Sequence, residues 1–99
     1  MSRLIYLTNI SYNLPPPLIA KWLEQAGELI NFTALTRSNG SFSGRCLIQY
    51  DRENSAGKAI QKLDRSFYGG RMIIFHYFDP GRFHPHDLMH RISYGINYI

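Results

Sequence analysis

The chemistry this sequence offers lies in aromatic rings and arginines set at alternating positions within short apolar runs. In Ile5-Tyr6-Leu7-Thr8 a period of two turns Ile5 and Leu7 to one side and Tyr6 to the other. An outward ring on a strand is a platform on which a nucleobase stacks, though strand tyrosines also serve as edge packing. In Gly44-Arg45-Cys46-Leu47-Ile48-Gln49-Tyr50 the same alternation leaves Arg45 and Leu47 outward. The Arg45 guanidinium can stack on a base or pair with a phosphate, whereas Leu47 gives only an apolar contact. His76 and Phe78, with Ile74, alternate onto the same face from a later run. Arg37 and Phe42 flank a turn-rich loop able to wrap a single strand, and Arg37, Arg71 and Arg82 are candidate phosphate contacts. An apolar face of this kind also suits burial by a protein partner or by the chain's own C-terminal segment.

Composition sets the frame. Eleven Lys and Arg against seven Asp and Glu give a net charge of +4 over 99 residues. Eight of the eleven cations are arginine, the residue suited to forked phosphate contacts and to stacking on flat rings. With 44% hydrophobic and 14% aromatic residues the chain can build one two-layered core. Its apolar runs fall far short of the roughly 18 residues a membrane span needs, and the N-terminal run is too short and polar for a signal peptide. The single cysteine, Cys46, excludes an internal disulfide and suits a reducing, intracellular setting. His84, His86 and His90 follow no known zinc-finger spacing, so neither metal nor cofactor is expected. No nucleophile–base set and no phosphate-binding glycine loop occurs. The stretch Ile10-Ser11-Tyr12-Asn13-Leu14-Pro15 lacks the glycine and arginine that an acylphosphatase needs there. The chain is expected to be no enzyme and to take no small-molecule substrate.

The elements that must position these side chains follow from pattern. A first strand runs from Arg3 to Ile10. Asn13 to Pro16 is extended, because residues before proline avoid the helical region, and Pro17 can open a helix. Ile19, Trp22, Leu23 and Ala26 form one apolar helical face, and Gly27 stops the helix. Strands follow over Leu29–Leu35 and Gly44–Tyr50, with Asn39-Gly40 at the apex of the loop between them. A second helix spans Asp51–Leu63, with Ala56, Ala59, Ile60 and Leu63 facing inward. After the Gly69-Gly70 turn a fourth strand covers Arg71–Phe78. The order β-α-β-β-α-β predicts an α+β sandwich of two helices on one face of a four-stranded antiparallel sheet. Beyond it, Leu88–Ile92 suits a short helix. Ser93–Ile99 suits a further strand, a flap over the sheet or a tail.

Two motifs resemble a known family. Ile5-Tyr6-Leu7-Thr8-Asn9-Ile10 is similar to the hexamer of the RNA-recognition motif (RRM), and Ser43 to Tyr50 is similar to its octamer. Gly44, Cys46, Ile48 and Tyr50 keep the octamer's inward pattern. Ser43 replaces its basic residue, and Arg45 and Leu47 replace two of its aromatics. The resemblance covers residues 3 to 79 and implies the ferredoxin-like fold. It divides the chain into an RRM domain (1–79) and a C-terminal extension (80–99). It implies single-stranded RNA binding in nuclear pre-mRNA processing and splicing, with Tyr6, Arg45, Leu47, His76, Phe78, Arg37 and Phe42 as RNA contacts.

The octamer also looks like that of the protein-binding RRM variant of splicing factors, the UHM, which uses an Arg-x-Phe motif to hold a partner's tryptophan. Arg65-Ser66-Phe67 spells that motif, although a gapless reading sets it on Ser66-Phe67-Tyr68. The first helix carries Lys21 and Glu24, which cancel, where the variant is usually acidic. This second resemblance implies a peptide of an RNA-processing partner docking at Arg65, Phe67 and Tyr68.

Overall fold

The computed structural model describes residues 3–78 and a short strand at Ile96–Asn97. Strand β1 is Leu4–Thr8, helix α1 is Pro16–Leu23, continued by a single 3-10 turn at Glu24–Ala26, and β2 is Leu29–Thr36. Strand β3 is Phe42–Tyr50, helix α2 is Glu53–Leu63, and β4 is Phe67–Tyr68. The remaining strands are β5 (Arg71–Met72), β6 (Ile74–Tyr77) and β7 (Ile96–Asn97).

The main sheet is antiparallel in the order β6-β1-β3-β2-β7, with β4 and β5 a separate hairpin. Its first four strands are the expected sheet of a ferredoxin-like α+β fold. The fifth is new: β7 pairs with the outer edge of β2, Thr33 opposite Asn97 and Ala34 opposite Ile96. Among the alternatives left open for the C-terminal run, these two residues form a strand. The expected domain boundary, the Leu88–Ile92 helix, Arg82 and the three histidines 84, 86 and 90 lie outside the described residues.

Alternation builds the core as expected. Ile5, Leu7, Cys46, Ile48 and Tyr50 are fully buried from β1 and β3, and Phe32 and Ala34 join them from β2. The helices close over them with Ile19, Leu23, Ala56 and Ala59. Each large aliphatic side chain buried this way contributes about 1.5–3 kcal/mol. Helix α1 begins one residue earlier than the proline argument places it, with Pro15 extended as its cap and Pro16 in the first helical position. The buried Tyr50 hydroxyl donates to the Leu23 carbonyl at 2.7 Å, tying the centre of the sheet to the end of α1. Burial pushes both this phenol and the Cys46 thiol above their ordinary ranges; Glu24 adds to the shift at Tyr50.

One glycine between the two helices is dictated by contact. A Cβ on Gly27 would sit 2.3 Å from the Ser55 hydroxyl, so the 3-10 turn and α2 meet only because Gly27 has none. The expected fourth strand breaks at Ile73, whose N–H donates to the Ser66 carbonyl while its own carbonyl accepts from Arg65. Asp64 ends α2 and accepts from the Phe75 N–H at 2.9 Å, which docks β6 against the helix end.

Candidate nucleic-acid interface

Register decides which outward side chains become neighbours. Tyr6 lies directly opposite Leu47 on β3 and directly opposite His76 on β6, and Leu47 lies opposite Thr33 on β2. Thr33, Leu47, Tyr6 and His76 therefore form one row across the sheet, on the face away from the helices. Tyr6 sits on β1 between β3 and β6, half-buried, with its ring centroid 6.2 Å from that of the exposed His76. Arg45, one step along β3 on the same face, reaches Tyr6 with Nη1 3.4 Å from the phenol oxygen. An aromatic ring, an imidazole, an apolar side chain and a cation are thus assembled on one surface. This set can stack a base, flank it and meet a phosphate.

Two expected contacts are corrected. Phe78 has the alternation of His76, but it is only 5% exposed, so its ring is not open to a ligand. Leu35, the register partner of Arg45, is likewise buried. Phe42 is corrected because β3 starts two residues before Gly44. Phe42 therefore shares the parity of Gly44 and Cys46 and packs against the core side. Arg37 is exposed on the β2–β3 loop, away from the central row. Its guanidinium carbon lies 4.2 Å from the centroid of the Tyr12 ring.

On the helix side, Tyr68 is half-buried and stacks on Trp22 with centroids 4.8 Å apart and planes 5° from parallel, so one face of its ring is occupied. Phe67 is 69% exposed, and Arg65 is exposed beside Asp64. The three are brought to one hairpin, yet only Phe67 offers a bare ring.

Asn9, Tyr12 and Ser43 were not among the contacts expected from sequence, yet the fold brings them to one pocket with Arg45 and Arg71. Asn9 has a left-handed backbone (φ 64) just after β1. Its Oδ1 accepts from Nε and Nη2 of Arg71, at 3.2 and 2.5 Å, and its Nδ2 donates to the Met72 carbonyl. The hexamer's asparagine was the available signal for this clamp. Tyr12 stands in a loop with no periodicity to mark it.

Comparison with known proteins gives consistent results. Residues 5–74 match the family model described as RNA recognition motif. A 69-residue stretch, 68% of the chain, is 28% identical to the mouse protein spliceosome associated factor 3, U4/U6 recycling protein. The chain spans 7% of the length of that relative. Among solved structures it is similar to the Rna15 RRM with bound RNA (GU), at 23% identity and TM-score 0.76, covering 91% of this chain and 97% of that one. It is also similar to the RRM3 domain of Hrb1, at 27% identity and TM-score 0.71, covering 76% and 75%. The RNA binding protein PG1 matches at 28% identity and TM-score 0.70, covering 76% and 92%.

Proposed function

Because the chain belongs to the RNA recognition motif family, we propose that its sheet binds single-stranded RNA, with Tyr6 stacking a base and Arg45 assisting, in nuclear pre-mRNA processing. The observation that carries this reading is the row Leu47-Tyr6-His76 with Arg45 bonded to the Tyr6 hydroxyl. An exposed imidazole beside a half-buried ring gives a base both a stacking surface and a hydrogen-bonding edge. A spliceosome-associated protein among the relatives supports the process and the compartment.

The experiment is an NMR titration of the folded chain with a random pool of short RNAs. Shifts concentrated on Tyr6, Arg45, Leu47 and His76 are expected. Silence on these strands at saturating RNA overturns the reading.

One observation favours a second reading. Phe67 is 69% exposed, beside the stacked Trp22–Tyr68 pair, and an exposed ring next to packed aromatics suits a peptide from an RNA-processing partner. Shifts confined to α1 and the β4–β5 hairpin on adding a tryptophan-bearing basic peptide would favour it.

A further inference from the structure

We propose that the pocket at the loop end of the sheet is a second nucleotide site, where the Tyr12 ring carries a base and Arg71 and Arg45 hold the adjoining phosphate. The proposal rests on the RNA-binding reading above and extends it beyond the central row.

The pocket has a volume of about 230 Å³, and its walls include Asn9, Tyr12, Ser43, Gly44, Arg45 and Arg71. Its floor depends on a glycine. Gly44 has φ +79, and a Cβ there would lie 2.6 Å from the Ile10 carbonyl oxygen and 2.9 Å from Cε1 of Tyr12. The absent side chain lets the Tyr12 ring lie against the start of β3 while the residue stays 56% exposed. That ring already accepts a flat cation, since the Arg37 guanidinium covers it at 4.2 Å. Arg37 is exposed on its loop, so a base can take its place on the ring without disturbing any core packing.

The cations are held in place. Asn9 fixes the Arg71 fork through two of its five N–H donors, leaving three for a ligand. Among the described residues no carboxylate pairs with Arg37, Arg45 or Arg71, and the pocket walls contain no acidic residue. Two arginines beside an exposed aromatic ring fit a planar group that carries an anion, as one nucleotide of a strand does. Arg45 belongs to both sites, since it borders this pocket and contacts the Tyr6 hydroxyl. A strand whose base stacks on Tyr6 would pass its phosphate over Arg45 and set a following base on Tyr12.

The test is fluorescence anisotropy with a labelled random hexaribonucleotide pool, applied to the unaltered chain and to Tyr6→Ala, Tyr12→Ala, Tyr12→Phe and Arg71→Gln. Folding of each variant is verified by its amide spectrum. Tyr12→Ala should weaken binding about 5- to 150-fold, the cost of one lost base stack. Tyr12→Phe, which keeps the ring, should bind within about twofold of the unaltered chain on the same stacking argument. Arg71→Gln should flatten the slope of log affinity against log salt by about 0.7, one phosphate contact on a single strand. If Tyr6→Ala weakens binding and Tyr12→Ala does not, the second site is wrong and the central one stands. If Tyr12→Phe binds as poorly as Tyr12→Ala, the ring is not a stacking platform. If the unaltered chain binds no RNA, the RNA reading fails and this site with it.

Discussion

Replacing Tyr6 tests the central row, and the structure sets both the size of the effect and its control. Tyr6 lies on the interior strand β1, opposite Leu47 and His76. Tyr6→Ala removes the ring, and with it one base stack worth about 1–3 kcal/mol, or about 5- to 150-fold in affinity. The cost to the fold is smaller. The side chain is half-buried on the face away from the core, and losing its cross-strand pairings costs roughly 0.2–1 kcal/mol each. A domain stable by about 5–15 kcal/mol therefore stays folded. Tyr6→Phe keeps the ring and deletes the hydroxyl, whose contact with Arg45 is long at 3.4 Å. A bond at that distance contributes at most the low end of about 0.5–1.5 kcal/mol. Calorimetric titration with a short RNA should therefore rank the unaltered chain and Tyr6→Phe within about threefold of each other, a difference of roughly 0.6 kcal/mol, with Tyr6→Ala well below both. If Phe and Ala lose affinity equally, the hydroxyl carries the contact and the stacking argument is refuted. If neither loses any, the row is not the RNA surface.

Three further outcomes follow from the packing. Tyr50→Phe leaves the Leu23 carbonyl without its buried 2.7 Å donor and should lower unfolding free energy by about 1–3 kcal/mol, read as a drop in urea midpoint at unchanged slope. Gly44→Ala forces a Cβ onto the Ile10 carbonyl at 2.6 Å with φ +79. It should lower thermal stability by more than the roughly 1 kcal/mol typical of a point substitution, and an unchanged melting temperature would contradict the close approach. The Cys46 thiol and the Tyr50 phenol are both raised by burial. Their unfolded forms ionise first, from about pH 8.5 and about pH 10 respectively, so the stability they contribute is fully present below pH 8.5 and lost as pH rises above these values. Urea midpoints should be flat between pH 7 and 8 and should decline above pH 9, and Cys46 should resist alkylation at pH 8 until the chain is unfolded.

Sidedness was legible in the residues alone. A strand turns successive side chains to opposite faces whatever it pairs with, so Ile5 and Leu7 inward with Tyr6 outward, and Cys46 and Ile48 inward with Arg45 and Leu47 outward, were readable from the local pattern. The helix faces of Ile19–Leu23 and Ala56–Leu63 were readable from local period too, as were the order of the two helices and four main strands and the turn at Asn39-Gly40. What stands beside each side chain, and how much of it is covered, was fixed by the packing of the strands against one another. Local period cannot say that Tyr6 faces Leu47 and His76, because register is set by pairing between strands about forty to seventy residues apart. Nor can it separate His76, exposed, from Phe78, which has the same parity and is buried, since parity gives direction and neighbours give exposure. Phe42, read as flanking the β2–β3 loop, packs against the core instead because strand β3 begins two residues before Gly44. The loop-end pocket was invisible for the strongest reason. Asn9 meets Arg71 across 62 positions, and Arg37 meets Tyr12 between two loops that carry no period at all. Such contacts exist only once the sheet has brought their loops to one end.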